Sequence, residues 1–130
     1  MNPASVDLLE WLDTSALFTD AVDLFVGEMP DDPDECVCLY DYGGASPHPD
    51  PNMVDRNPRV NIRIRGDIGD YPGSYSNALS IISTLHGKHN EIKNSTRYIS
   101  IFATSEPLWL GYDEKQRPQW SINFKINRTE

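Results

Sequence analysis

Cys36 and Cys38 are the only cysteines, and they stand one residue apart. In an extended segment that spacing turns both thiols to one face. A disulfide between them would close a tiny, strained loop. No second cysteine pair completes a tetrahedral zinc site. A metal pair or a redox C-x-C thus stands against two small residues on a strand in a reducing compartment. Asp31, Asp32, Asp34 and Glu35 gather four carboxylates. They could draw calcium, yet they lack the alternating ligands and distal bidentate Glu of an EF-hand loop, and a solvated acidic turn is the plainer reading. His48 with Asp50 and Asp55 could hold a metal, against a solvated loop histidine. His86 closes an apolar helical stripe, where the helix dipole favours it, and no Ser or Cys stands in an activating context. Paired-carboxylate hydrolysis is open on composition, but no spacing selects one pair. With no P-loop, GxGxxG, GxSxG, HExxH or CxxC pair, the residues alone favour binding over catalysis, and no catalytic residue, metal or cofactor is expected.

The densest basic feature is Arg59-Val60-Asn61-Ile62-Arg63-Ile64-Arg65-Gly66. Its strict alternation predicts a half-buried strand with Val60, Ile62 and Ile64 inward and Arg59, Asn61, Arg63 and Arg65 outward. That outer face is either solvated and neutralised by neighbouring acids, or a contact or channel-lining surface.

Elements to position these residues follow from periodicity. Val6, Leu8, Leu9 and Leu12 predict a short amphipathic helix over 5–13, with Ser5 as its cap. Strands are predicted over 21–26, 36–41 and 59–66. Residues 45–58 hold four prolines and read as a long loop. Ala78, Leu79, Ile81, Ile82 and Leu85 predict a helix over 74–86, with Gly87 at its αL cap. Residues 89–95 read as a polar loop and 97–103 as a strand. Residues 107–113 read as an irregular aromatic link, 114–118 as a charged turn and 120–126 as the last strand. The expected fold class is α+β: one mostly antiparallel five-stranded sheet, with two helices packed on one face, in the order α-β-β-β-α-β-β.

Length and charge narrow the classes. At 130 residues the chain has room for one ordinary domain. Twenty acidic against eleven basic residues give a net charge of −9. That speaks against duplex-DNA affinity as the main task and against an anionic membrane surface. No apolar run approaches the ~18 residues of a membrane span, and the N-terminus has no basic, then apolar, leader pattern. Asn94-Ser95-Thr96 and Asn127-Arg128-Thr129 are read as chance sequons.

Five segments in order carry a resemblance. They are Leu24-Phe25-Val26-Gly27-Glu28-Met29-Pro30, then Leu39-Tyr40-Asp41-Tyr42-Gly43-Gly44, and Pro58 followed by the arginine strand to Gly66. Next comes a helix bearing Tyr75, Ala78 and Ile82 that ends Leu85-His86-Gly87, and last Leu110-Gly111-Tyr112-Asp113-Glu114-Lys115-Gln116-Arg117-Pro118 running into Trp120-Ser121-Ile122-Asn123-Phe124. Together they span nearly the whole chain and resemble the tail terminator proteins of long-tailed bacteriophages, often grouped as phage minor capsid proteins. Gly69-Asp70 and the proline-rich loop depart most from that pattern.

The resemblance implies a structural protein of the virion tail or neck, assembled in the host bacterial cytoplasm, and not an enzyme. Six copies would form a ring on the head-proximal end of the tail tube. The ring would stop polymerisation and offer the surface that joins the head-side connector or head-completion protein. Genomic DNA would pass through the lumen without sequence-specific binding, and no membrane would be involved. The candidate subunit or tube interface comprises Arg59, Arg63 and Arg65 on an exposed sheet face, Tyr40, Asp41, Gly43 and Gly44 leading into the long loop, and Asp113 and Arg117 about the charged turn. Three other readings stay open: a head-completion or neck connector protein, a small acidic hydrolase and a DNA-mimic inhibitor.

Overall fold

The computed structural model of the chain describes residues 1–47, 49–50 and 55–129. The elements run α1 (Ala4–Thr14), β1 (Leu24–Val26), β2 (Cys36–Gly44), β3 (Pro58–Arg65), α2 (Tyr71–Leu85), β4 (Lys88–Lys93), β5 (Thr96–Ala103), β6 (Leu108–Tyr112) and β7 (Pro118–Thr129). They form an α+β fold with one seven-stranded sheet, ordered β1-β2-β3-β7-β5-β4, and β6 also pairs with β7. Only β1 against β2 is parallel.

Alternation decides what each face of the sheet carries. Val37 and Leu39 of β2, Val60, Ile62 and Ile64 of β3, and Trp120, Ile122, Phe124 and Ile126 of β7 are all buried. They share one core with Leu8, Leu9 and Leu12 of α1 and Ala78, Ile81 and Leu85 of α2. Each large apolar side chain so buried contributes about 1.5–3 kcal/mol, which makes this layer the main stabiliser. Both helices therefore cover one face, and among the described residues the other face has no helix on it.

The strand number corrects the expected five to seven. β4, read as polar loop, is an edge strand whose residues are exposed or half-exposed, so it shows no apolar alternation. β6, read as an irregular link, is a run of apolar and aromatic residues with a register shift between Trp109 and Gly111. β5 and β6 lie along the same edge of β7, joined by residues 104–107. Ala103 faces Phe124, and Leu108 faces Ser121. They are one long strand interrupted by a short excursion.

Three smaller expectations are also corrected. β1 is only three residues long and begins at Leu24. α2 begins at Tyr71, because Asp70 caps it by accepting from Gly73 N at 3.1 Å and Pro72 suits the first turn. Ser5 does not cap α1; Pro3 holds that position and makes no side-chain cap bond. Instead Asp41 of β2 accepts from Ser5 N at 3.1 Å and from Ser5 Oγ at 2.5 Å. The cap is long-range, so local spacing could not show it.

The same end of α1 is also held by a buried polar knot. Asp7 of α1 accepts from the Tyr98 hydroxyl and from Asn94 Nδ2 at 2.6 Å. Arg128 of β7 donates to the Tyr98 hydroxyl at 3.2 Å and to the Asn2 carbonyl at 2.7 Å. Burial raises the Tyr98 pKa above the ordinary tyrosine range, and its bond to Asp7 adds to the rise. Asn94 of the first sequon is thus tied to α1 by side-chain hydrogen bonds to Asp7 and Glu10. His86 likewise accepts the Ala103 N–H at 3.0 Å and ties the end of α2 to β5.

Asp41→Ala is expected to lower stability by about 1 kcal/mol, the usual value of a helix N-terminal carboxylate or cap. Urea unfolding should show an unchanged slope and a lower midpoint.

Candidate assembly interface

The uncovered sheet face is built from the residues between the core positions. Register places Cys36 against Arg65, Cys38 against Arg63 and Tyr40 against Asn61. Arg63 in turn faces Ser121, Asn61 faces Asn123, and Arg59 faces Lys125. Asn61 Nδ2 donates to Ser121 Oγ at 2.6 Å and to Asn123 Oδ1 at 2.8 Å, forming a polar ladder across two strands. Tyr40, Tyr42, Asn61, Arg63 and Asn123 line an open concavity of about 510 Å³. Arg59, Arg63 and Lys125 are exposed here. None forms an ion pair among the described residues. Lys125 sits 6.0 Å above the Phe102 ring on neighbouring β5.

One end of this face is closed. Because β1 is parallel to β2, residues 27–35 must cross over to begin the next strand in the same direction. The crossover holds the acidic run and is gripped by two buried arginines. Arg65 donates to the carbonyls of Pro30 at 2.6 Å, Pro33 at 2.7 Å, Asp34 at 2.8 Å and Asp31 at 3.2 Å. Arg117, from the turn between β6 and β7, pairs with Asp113 at 2.7 Å and with Asp31 and Asp34 at 3.1 Å each. It also donates to the Asp31 carbonyl at 2.7 Å, and Lys115 adds an ion pair to Asp31. The acidic run is therefore an arginine-clamped strap.

These contacts set the local protonation. The Lys115 and Arg117 bonds hold the Asp31 carboxyl below its ordinary range. Burial acts to raise Asp113, but hydrogen bonds from Arg117 outweigh it and the net direction is down. At the Cys36 and Cys38 thiols burial dominates and pushes both upward, so both free cysteines stay protonated and poorly nucleophilic. Burial and the neighbouring Cys38 thiol push Tyr40 up to about 12.

The sequence candidates thus separate into four places. Tyr40, Arg59 and Arg63 come together on the open face. Arg65, expected there, is only 4% exposed and serves the strap, since its end of the face is roofed by residues 27–35. Arg117, expected at the interface from the charged turn, is 5% exposed and works beside it with Asp113. Asp41 points to the helix face, at the start of α1. Gly43 and Gly44 lie at the flared end of β2, where the register shifts. Gly44 has φ 129°, and a Cβ there would meet the Asn57 carbonyl oxygen at 2.1 Å, so only glycine fits. His48 of the suggested metal cluster lies outside the described residues. Among the described residues no group of three or more His, Cys, Asp or Glu could hold a metal. Residues that sequence reasoning left unselected on the open face are Tyr42, Phe102, Asn123 and Lys125; their own strands alternate, but only cross-strand register joins them to the arginines.

A second surface lies on the helix side. Tyr71, Tyr75, Trp109, Tyr112 and Trp120 form a chain of ring contacts with centroids 4.9–5.3 Å apart. Trp120 is buried and donates to Ser74 Oγ at 2.8 Å, while the other four rings are partly open to solvent.

Comparison with known proteins adds three findings. A family model described as bacteriophage tail terminator protein matches residues 11–130. A solved structure superposes with a TM-score of 0.58, covering 95% of this chain and 90% of its own, at 10% identity. That likeness concerns the fold alone. No curated protein sequence matches the chain.

Arg117→Met is expected to destabilise the chain by about 2–3 kcal/mol, since three carboxylates lose their shared cation. Arg63→Met should change stability by less than about 0.5 kcal/mol. Because the Asp31 and Asp113 pKa values are depressed, their contribution is present above the ordinary carboxylate value of 3.8 and is lost as pH falls through their lower folded values. Thermal melts below about pH 4 should show that loss in the wild type, and a weaker pH slope in Arg117→Met.

Proposed function

The chain belongs to the bacteriophage tail terminator family, and on that premise we propose that it caps the head-proximal end of the tail tube as a ring of identical copies. The match of the family model over residues 11–130 carries this reading. A ring is a closed heterologous assembly, so each copy needs two different surfaces. An open basic–aromatic sheet face and an aromatic helix side meet that need. The ring stops tube growth and presents the surface for the head-side connector or head-completion protein. DNA passes through its lumen, and the net charge of −9 suits a channel that must not grip it. No catalytic role is proposed.

The test is electron microscopy of a lysate of the parent phage lacking this gene. Overlong, headless tails beside filled heads are expected. Tails of normal length that fail to join heads would move the protein to the head-completion side, and infectious particles of normal form would overturn a virion role. In a complementation series, Arg63→Glu should reduce infectious titre by an order of magnitude or more, and wild-type titre would remove Arg63 from the assembly surface.

A further inference from the structure

We propose that neighbouring copies pack front to back, with the open sheet face of one against the α2 side of the next. This rests on the ring reading above and assigns the two surfaces that make it. The occupant of the open face is thus a second copy of this chain.

Charge carries the argument. Among the residues of β2, β3, β5 and β7 there is one carboxylate, Asp41, and it points to the helix face. The open face therefore presents Arg59, Arg63 and Lys125 with no acid on its own strands, in a chain with nine more acids than bases. Such a face is electrostatically incomplete, and a copy of the same acidic chain is a natural counterpart.

The α2 side has the complementary make-up. The fifteen residues of α2 contain no Lys, Arg, Asp or Glu. Its outer side shows Tyr71, Tyr75 and Leu79, at 43%, 36% and 38% exposure, beside Trp109 at 37%. A solvated helix normally carries charge on its outer side, so an uncharged one beside exposed aromatics marks a covered surface. Its rim is acidic. Asp67 and Asp70 precede the helix, and Glu106 stands across the cleft from Ile82 and His86. None of these three is in an ion pair among the described residues.

Size and direction agree. At 1.5 Å per residue α2 is about 22 Å long, and four strands at about 4.8 Å spacing cover about 15–20 Å. Tyr40, Tyr42 and Phe102 on one side and the ring cluster on the other supply the aromatic contacts typical of binding hot spots. The two surfaces lie on opposite faces of the sheet, so the contact is heterologous, as a ring demands.

Disulfide trapping between separately prepared full-length variants tests the proposal. Arg59→Cys places a thiol on the open face, and Ser76→Cys places one on the exposed side of α2. The native thiols are buried and do not compete. Oxidising the mixture should yield a cross-linked pair containing one of each, at least tenfold above either variant alone. Adding Arg63→Glu and Lys125→Glu to the first chain should reduce that yield at least tenfold. Asp67→Lys with Glu106→Lys in the second chain should restore it. All positions are surface sites, and circular dichroism checks that each variant is folded. No mixed cross-link at any concentration, or Arg59→Cys linking to itself as readily as to Ser76→Cys, overturns the proposal. The outcome is independent of tail length in the gene-deleted phage. A trapped pair with unchanged tails would keep this contact and lose the terminator reading, whereas overlong tails without trapping would do the reverse.

Discussion

β7 is paired along both of its edges, and that single strand places nearly everything else. β3 lies on one side over Arg59 to Arg65. β5 and β6 share the other side end to end, over Arg97 to Tyr112. Its inward residues, Trp120 to Ile126, form the floor on which α2 rests, and its outward residues, Ser121 to Lys125, complete the open face begun by β3. A twelve-residue strand with an unbroken period of two can serve both faces at once. A slip of one residue would exchange apolar floor for polar face, so register is strongly specified.

The second organising constraint is the parallel start of the sheet. Residues 27–35 must pass behind it, carrying four carboxylates over a surface that also holds two thiols. The arginine pair resolves the conflict by different means. Arg65 takes backbone carbonyls, and Arg117 takes three carboxylates and one carbonyl. The planar guanidinium suits such multi-acceptor work, which an ammonium could not reproduce with the same geometry. The strap also explains how two arginines can be buried in a chain of this size: each is surrounded by acceptors and so escapes the penalty of an unpaired buried charge.

Much of this was legible from the residues. The alternation of residues 59–66 and 120–126, the apolar stripe of α2 and the one-sided helical cover all follow from period alone. β4 was not legible, because a solvated edge strand has no apolar period to detect. β6 was not, because Leu108-Trp109-Leu110 lacks alternation and owes its pairing to β7. At the candidate site, the same period that correctly turned Arg59 and Arg63 outward also turned Arg65 outward. What period cannot see is that a segment thirty residues earlier in the chain covers the last of the three. The bond of Asp41 was not legible for a related reason, since its partner Ser5 lies 36 residues away.

The β1 and β4 edges of the sheet favour the proposed assembly by faces. β1 offers three residues, and the Leu24 carbonyl already accepts Ala21 N at 3.0 Å. At the other end β4 carries Lys88, His89, Glu91 and Lys93 within six residues. Short and charged edges resist strand addition, which is how sheets avoid uncontrolled growth. The faces show the opposite pattern. Among the described residues the open face keeps its cations out of ion pairs, and α2 keeps its outer side uncharged, although charge is abundant elsewhere. In the ring proposed above, that division has a physical logic. Closed contacts between copies belong on faces whose area and charge are finite, and at β1 and β4 the chain has blunted edges that could propagate.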